Sequence, residues 1–227
     1  MRNERSIPES AAEFDYRKSI RKSEDKFIWR YLQINKYLNR PLASLLVRAV
    51  FRTKITPNQL TYAAFVIGLG GAFFLFKGRG AALIAGGLLV ELSSIVDCAD
   101  GMLARARGHK SEFGAYLDLF LDRVNEYFLI LAAVVGFFKA SGQLNILLVG
   151  LASLGLYFLQ TTLFYLTKNY LKDSNKGETA ETRGWFLFLI CFFALINRID
   201  LGIYILAIST VAADIVLTYN FFRLKRT

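Results

Sequence analysis

Cysteine is scarce in this chain: its 227 residues include two, Cys98 and Cys191. Each stands inside an apolar block, where a small core side chain is the plain reading. Nothing about them suggests a disulfide framework or a zinc site. The single histidine, His109, lies in a polar link and reads as an exposed residue without chemistry. Residues 1–30 lack the continuous apolar core of a secretory signal, and no repeat or low-complexity tract stands out. Acidic residues are outnumbered, 18 against 28 Lys and Arg, for a net charge of +10. In a soluble chain that balance would point to nucleic acid. Here it is set in too hydrophobic a sequence, so no nucleic-acid partner is expected and contact with anionic lipid head groups is.

What the chain has is apolar length. Hydrophobic residues make up 54% of it and the mean hydropathy is +0.37, above the usual range for soluble domains. They come in blocks long enough for a bilayer. The pattern predicts an all-α, polytopic membrane bundle of six transmembrane helices, at about 57–76, 81–103, 114–138, 143–167, 184–197 and 201–222. The fifth is short, and its start reaches back to about 181. Pro57 is well placed to open the first span. The links 77–80 and 198–200 are tight, so neighbouring helices pack as antiparallel hairpins.

Residues 1–25 are polar and read as a cytoplasmic arm. Over 26–53 the apolar residues Phe27, Tyr31, Ile34, Leu38, Leu42, Leu45, Leu46 and Ala49 recur at helical spacing, with Lys26, Arg30, Lys36, Arg40, Arg48 and Arg52 between them. This predicts an amphipathic juxtamembrane helix lying in the interface and broken near Pro41. An ordinary helix packed on protein is the alternative. Residues 54–227 then form the six-helix domain. Most Lys and Arg fall before the first span, in the links 104–113 and 168–183, and in the tail. The opposite side holds Lys77, Arg79, Lys139 and Arg198. Both termini are therefore expected in the cytoplasm.

Ionisable side chains inside spans usually mark function. The second span ends in Asp97 and Asp100, which share a helix face with Gly101 and Ala104 at i, i+3, i+4 and i+7. The third carries Gly114, Asp118, Asp122 and Glu126 at steps of four, again one face. A short link joins the two spans, so the acidic faces can meet on the cytoplasmic side. Four aspartates in one pocket raise one another's pKa. Protonation, pairing with Arg105 and Arg123, or bound divalent cations would each relieve this. Hard oxygen ligands favour Mg²⁺, Mn²⁺ or Ca²⁺. Small residues on the same faces allow close approach of a helix or a ligand, and Arg105 could grip a phosphate or act as a plain cytoplasmic anchor. Glu91 and Asp214, in the second and sixth spans, line a polar cavity or pair within the bundle.

From Asp97 to Asp122 the chain reads DCADGMLARARGHKSEFGAYLDLFLD. This resembles the signature of the CDP-alcohol phosphotransferase family, and all eight fixed residues are met: Asp97, Asp100, Gly101, Ala104, Arg105, Gly114, Asp118 and Asp122. Pro57, Asn58 and Thr61 extend the likeness upstream, and it covers roughly 54–222. The resemblance implies a metal-dependent transfer of a phosphoalcohol group from a CDP-alcohol to a hydroxyl, releasing CMP. It implies that Asp97, Asp100, Asp118 and Asp122 hold Mg²⁺ or Mn²⁺, two ions by expectation, with Asp122 also the general base. Asn58, Thr61, Gly101, Ala104, Arg105 and Gly114 would form the donor pocket. A homodimer is expected by resemblance alone.

Basic residues near the cytoplasmic links lead to a phosphorylated polyol acceptor, inositol phosphate or glycerol phosphate, met by Lys110, Arg123 and Arg183. Lys168, Lys172 and Lys176 stand nearby in sequence. Arg123 could instead pair structurally with Glu126 or Asp118. The expected donor is CDP-diacylglycerol, which makes this phospholipid biosynthesis. The stretch RKSEDKFIWRYLQINKYLNR loosely resembles the segment before the membrane part of enzymes that use CDP-inositol, so a soluble CDP-polyol donor is the alternative. No nucleotidyltransferase domain precedes it, so the donor is expected from another chain. A cation-coupled secondary transporter would place its acids near the bilayer midplane with repeat symmetry, which this sequence lacks. A membrane scaffold would not need aligned aspartates.

Overall fold

The computed structural model describes residues 35–108, 111–170 and 178–224. Among them every element is helical, with no strand. A π-helical turn, Asn35–Asn39, leads into α1 (Arg40–Val50). Then follow α2 (Pro57–Leu75), α3 (Gly80–Ala106), α4 (Glu112–Ser141), α5 (Leu144–Tyr170), α6 (Glu178–Leu195) and α7 (Ile199–Leu224). Among the described residues, four stretches are long and apolar enough to cross a membrane: Pro57–Leu75, Gly80–Ala106, Glu112–Ser141 and Leu144–Leu163. In α6 the apolar part among the described residues is the shorter Phe186–Leu195. The polar arm and the start of the predicted juxtamembrane helix lie outside the described residues.

Local chemistry sets the helix ends. Thr56 caps α2: its Oγ1 accepts from the Gln59 amide at 3.3 Å, and its own N–H donates to Gln59 Oε1 at 2.9 Å. Pro57 follows as the first helical residue. Ser111 caps α4 by accepting from the Gly114 amide at 3.0 Å. Gly142 ends α4 in the left-handed region at φ 69°, where a side chain would be strained. The helices run past the apolar blocks at several ends: α3 continues to Ala106 and α6 begins at Glu178. Hydropathy marks the membrane-compatible stretch, whereas backbone hydrogen bonding carries the helix on until a cap stops it.

α3 is central. It packs on α2, α6 and α1; α4 packs on α2 and α5; α7 lies against α5 and α6. Glycines let the backbones close up, as expected where apolar surroundings give no hydrophobic drive for helix association. A Cβ on Gly86 of α3 would stand 2.9 Å from the Leu75 amide nitrogen of α2, and one on Gly87 would stand 2.8 Å from the Ala194 Cβ of α6. One core cluster joins Leu75, Leu83, Val90, Leu129, Ile130 and Ala194. A second joins Ala43, Val47 and Val50 of α1 to Leu60, Ala64, Val96, Ala99, Met102 and Leu103.

That second cluster revises the reading of α1. Asn39 Nδ2 donates to Ser94 Oγ at 2.8 Å at the start of α1, and Arg107 reaches the Val50 carbonyl at its end. The contacts advance together along both chains, so α1 runs beside the C-terminal half of α3 in the same direction. Its buried face is Asn39, Ala43, Ser44, Val47 and Val50. Of the periodic apolar series, Leu38, Leu42 and Leu45 stay exposed, Leu45 at 60%, while Leu46 packs against the second cluster. Small residues permit the close approach to α3, and periodicity alone does not say which face meets protein. Pro41 itself stands in the first turn of α1. The irregularity comes just before, in the π-helical turn.

Candidate active site

The acids meet at the end of α3 and the start of α4. Asp97, Asp100 and Asp118 each offer a carboxylate oxygen, and these oxygens lie within 4.8 Å of one another. Asp100 is buried, and the other two are half-buried. Two come from one face of α3 and the third from α4, as the spacing required. Like charges this close need a counter-charge, and a set of hard oxygen donors suits Mg²⁺ or Mn²⁺. Asp122, one turn deeper along α4 and half-buried, stands outside this trio.

α2 supplies the third wall. Thr61 Oγ1 donates to Asp100 Oδ2 at 2.5 Å and also lies 3.2 Å from the Pro57 carbonyl. Asn58, one turn earlier, borders Gly114: a Cβ on Gly114 would lie 3.1 Å from Asn58 Oδ1 and 2.9 Å from Ser111 Oγ. Arg105 folds back over its own helix, so that a Cβ on Gly101 would lie 3.1 Å from Arg105 Nη1. Ala104 is half-buried on the same turn. The sequence-derived residues on α2, α3 and α4 are therefore brought to one end of the bundle.

The candidate acceptor residues fare differently. Arg123 is committed to α4 itself: its Nη1 lies 2.8 Å from Glu126 Oε2, and its Nη2 donates to Glu126 Oε1 at 3.1 Å. Glu126 is fully buried. Of the two roles open to Arg123, structural pairing with Glu126 is thus present in the fold. Lys110 and His109 lie outside the described residues, as do Lys172, Lys176 and the side chains of Lys168 and Arg183.

Sequence reasoning missed three supports. Ser93 Oγ donates to the Ala64 carbonyl at 2.7 Å and accepts from Asn125 Nδ2 at 3.4 Å, tying α2, α3 and α4 just below the acids. The Asn125 amide lies directly on Gly68, where any Cβ would overlap it. Arg107, just past α3, donates to backbone carbonyls of residues 50–55. Burial lowers the pKa of this guanidinium from its ordinary value. A signal existed for Ser93 and Asn125: both are polar residues inside apolar blocks, four before Asp97 and three after Asp122. Arg107 looked like one more cytoplasmic cation.

Comparison with known proteins agrees with this geometry. The family profile "CDP-alcohol phosphatidyltransferase" matches residues 54–219. An archaetidylinositol phosphate synthase of Pyrococcus horikoshii is 30% identical over 68% of this chain and 77% of its own length. A bifunctional IPC transferase and DIPP synthase of Thermococcus kodakarensis is 37% identical over 52% of this chain, which spans only 25% of that longer protein. Among solved structures, the phosphatidylinositol phosphate synthase of Mycobacterium tuberculosis with CDP-DAG bound superimposes with a TM-score of 0.67. That match covers 80% of this chain and 94% of the other at 20% identity, so it speaks to the fold. With its profile matched across every helix that builds the site, the chain belongs to the CDP-alcohol phosphatidyltransferase family.

Proposed function

We propose that this chain transfers a phosphatidyl-type group from a CDP-alcohol, CDP-diacylglycerol foremost, to a hydroxyl of a polyol phosphate such as inositol phosphate, releasing CMP. The observation that carries this is the meeting of Asp97, Asp100 and Asp118 within 4.8 Å, beside Thr61 and Asn58 of α2. The inositol-phosphate acceptor draws support from the similarity to archaetidylinositol phosphate and phosphatidylinositol phosphate synthases. The similarity to a bifunctional IPC transferase and DIPP synthase keeps a soluble CDP-polyol donor as the second reading.

The three carboxylates would hold Mg²⁺ or Mn²⁺, two ions by family expectation, which when bound supply Lewis-acid stabilisation of the charge developing on the phosphoryl oxygens and on departing CMP. Asn58, Gly101, Ala104 and Gly114 leave room for the nucleotide, and Arg105 faces its phosphates. Asp122 accepts the proton of the acceptor hydroxyl and completes the acidic set as a fourth ligand. The hydroxyl oxygen forms a bond to the β-phosphorus as the bond from that phosphorus to CMP breaks, CMP taking the electron pair. Lys110 and Arg183, and Arg123 to the extent that Glu126 releases it, are the acceptor-binding candidates.

Six spans with both termini cytoplasmic, the exposed Leu38, Leu42 and Leu45 of α1 against the membrane surface, and a homodimer complete the proposal. The test is CMP release by the purified chain from CDP-diacylglycerol or CDP-inositol across a panel of acceptors with Mn²⁺. Asp122→Asn should lower the rate by about 10²-fold or more, as expected for loss of a general base. Unchanged CMP release would remove Asp122 from its role, and preference for serine would exclude a phosphorylated acceptor.

A further inference from the structure

Two arginines stand at the end of α3 and face different ways. Arg105 and Arg107 are two residues apart, which turns their side chains by roughly 200° at 3.6 residues per turn. Arg105 lies over Gly101, on the face of the acids. Arg107 points to the connection between α1 and α2. Its Nη1 donates to the Ile55 carbonyl at 2.5 Å, and its Nη2 lies within reach of the carbonyls of Val50 at 2.8 Å, Phe51 at 2.8 Å and Thr53 at 2.9 Å. The Phe51 ring lies 5.9 Å from the guanidinium carbon.

The same connection also packs Phe51 and Ile55 against the second core cluster and bonds within itself. Thr53 bonds the Val50 carbonyl through its amide at 3.0 Å and its hydroxyl at 2.7 Å, and Ile55 N–H donates to Thr53 Oγ1 at 3.2 Å. The Thr56 cap comes next, and then the α2 turn bearing Asn58 and Thr61. A planar guanidinium with several fixed donors can gather four carbonyls, whereas an ammonium acts as a point charge. Two of those carbonyls, on Val50 and Phe51, end α1 and carry the negative end of its dipole, which favours a cation there.

We infer that Arg107 is a positioning residue of the transfer reaction: by gathering these four carbonyls it sets where Asn58 and Thr61 stand against Gly114 and Asp100. The role rests on the function proposed above. Without Arg107 the start of α2, which carries the donor wall, loosens, while the rest of α2 stays packed on α3 and α4. Donor binding should suffer more than the chemical step.

Arg52 and Lys54 are exposed within the clamped segment, so trypsin reads the clamp directly. Cleavage after these residues, followed by mass spectrometry on the purified full chain, should be about tenfold faster in Arg107→Gln, because local opening controls proteolysis. The KM for CDP-diacylglycerol should rise about tenfold with kcat within about threefold. Arg107→Lys should fall between, and it decides the matter if Arg107→Gln does not accumulate. Unchanged cleavage overturns the clamp, and faster cleavage with an unchanged donor KM overturns the positioning role. A wild-type chain that releases no CMP from any CDP-alcohol overturns the underlying function instead, while the trypsin rates still judge the clamp.

Discussion

The Thr61 hydroxyl donates to Asp100 Oδ2 across 2.5 Å, joining the first turns of α2 to the last turns of α3 inside the acidic site. Both residues are buried, Thr61 at 5% exposure and Asp100 at 6%. One oxygen of Asp100 is thereby oriented, leaving the carboxylate to face Asp97 and Asp118. A hydrogen bond to a charged group contributes about 1.5–3 kcal/mol. Thr61→Val keeps the shape and removes the donor, so CMP release at limiting Mn²⁺ should fall by about tenfold or more, with Thr61→Ser recovering most of it. Equal rates for Thr61→Val and wild type would show that this bond does not orient Asp100.

The acidic trio should respond to metal even without substrate. Three carboxylates within 4.8 Å repel one another until a cation joins them. Mn²⁺ should raise the thermal unfolding midpoint of the detergent-purified chain, by linkage of binding to the folded state. Chelation should abolish CMP release and fresh Mn²⁺ restore it. Asp97→Asn or Asp118→Asn should erase most of the thermal shift, whereas Asp122→Asn, outside the trio, should keep the larger part. A shift that survives Asp97→Asn undiminished would place the cation elsewhere.

Arg123 and Glu126 form a pair with one fully buried partner. Removing one partner of a fully buried ion pair costs about 3–5 kcal/mol, and less here because the Arg123 side chain is 22% exposed. Arg123→Gln should therefore lower the unfolding midpoint, and Arg123→Gln with Glu126→Gln should recover much of the loss. If Arg123 instead serves the acceptor, the double variant will regain stability but not acceptor KM. Those two readouts separate the structural role from the binding role.

Gly68 makes room for Asn125. Any Cβ there overlaps the amide that bonds Ser93, so Gly68→Ala must push α2 away from α4 or expel Asn125. Overpacking of this kind costs about 1–3 kcal/mol. Gly68→Ala should lower stability by that order, and adding Asn125→Ala should restore part of it. Additive losses in the double variant would show that the two positions do not share this space.

Much of this site is visible in the sequence because helical spacing is a local property. Asp97 and Asp100 at i, i+3 and Asp118 and Asp122 at i, i+4 share faces in any α-helix, and a short link between spans makes those faces meet. Long apolar blocks likewise dictate helices, since a bilayer leaves few other ways to satisfy the backbone. What spacing cannot express is direction between elements. The partners of Arg107 lie more than fifty residues upstream, and Ser93 joins Ala64 and Asn125 from two other helices.

The sequence alone determined the all-helical class, the family signature and the two acidic faces, because each depends on periodicity and composition within one or two helices. Tertiary structure decided which face of α1 is buried, that Asp97, Asp100 and Asp118 come within 4.8 Å of one another, and that Arg123 is bonded to Glu126. Those outcomes turn on how closely backbones approach at glycines and on which side chain reaches a given carbonyl or carboxylate first. Both are set by contacts between distant segments, which a linear pattern does not contain.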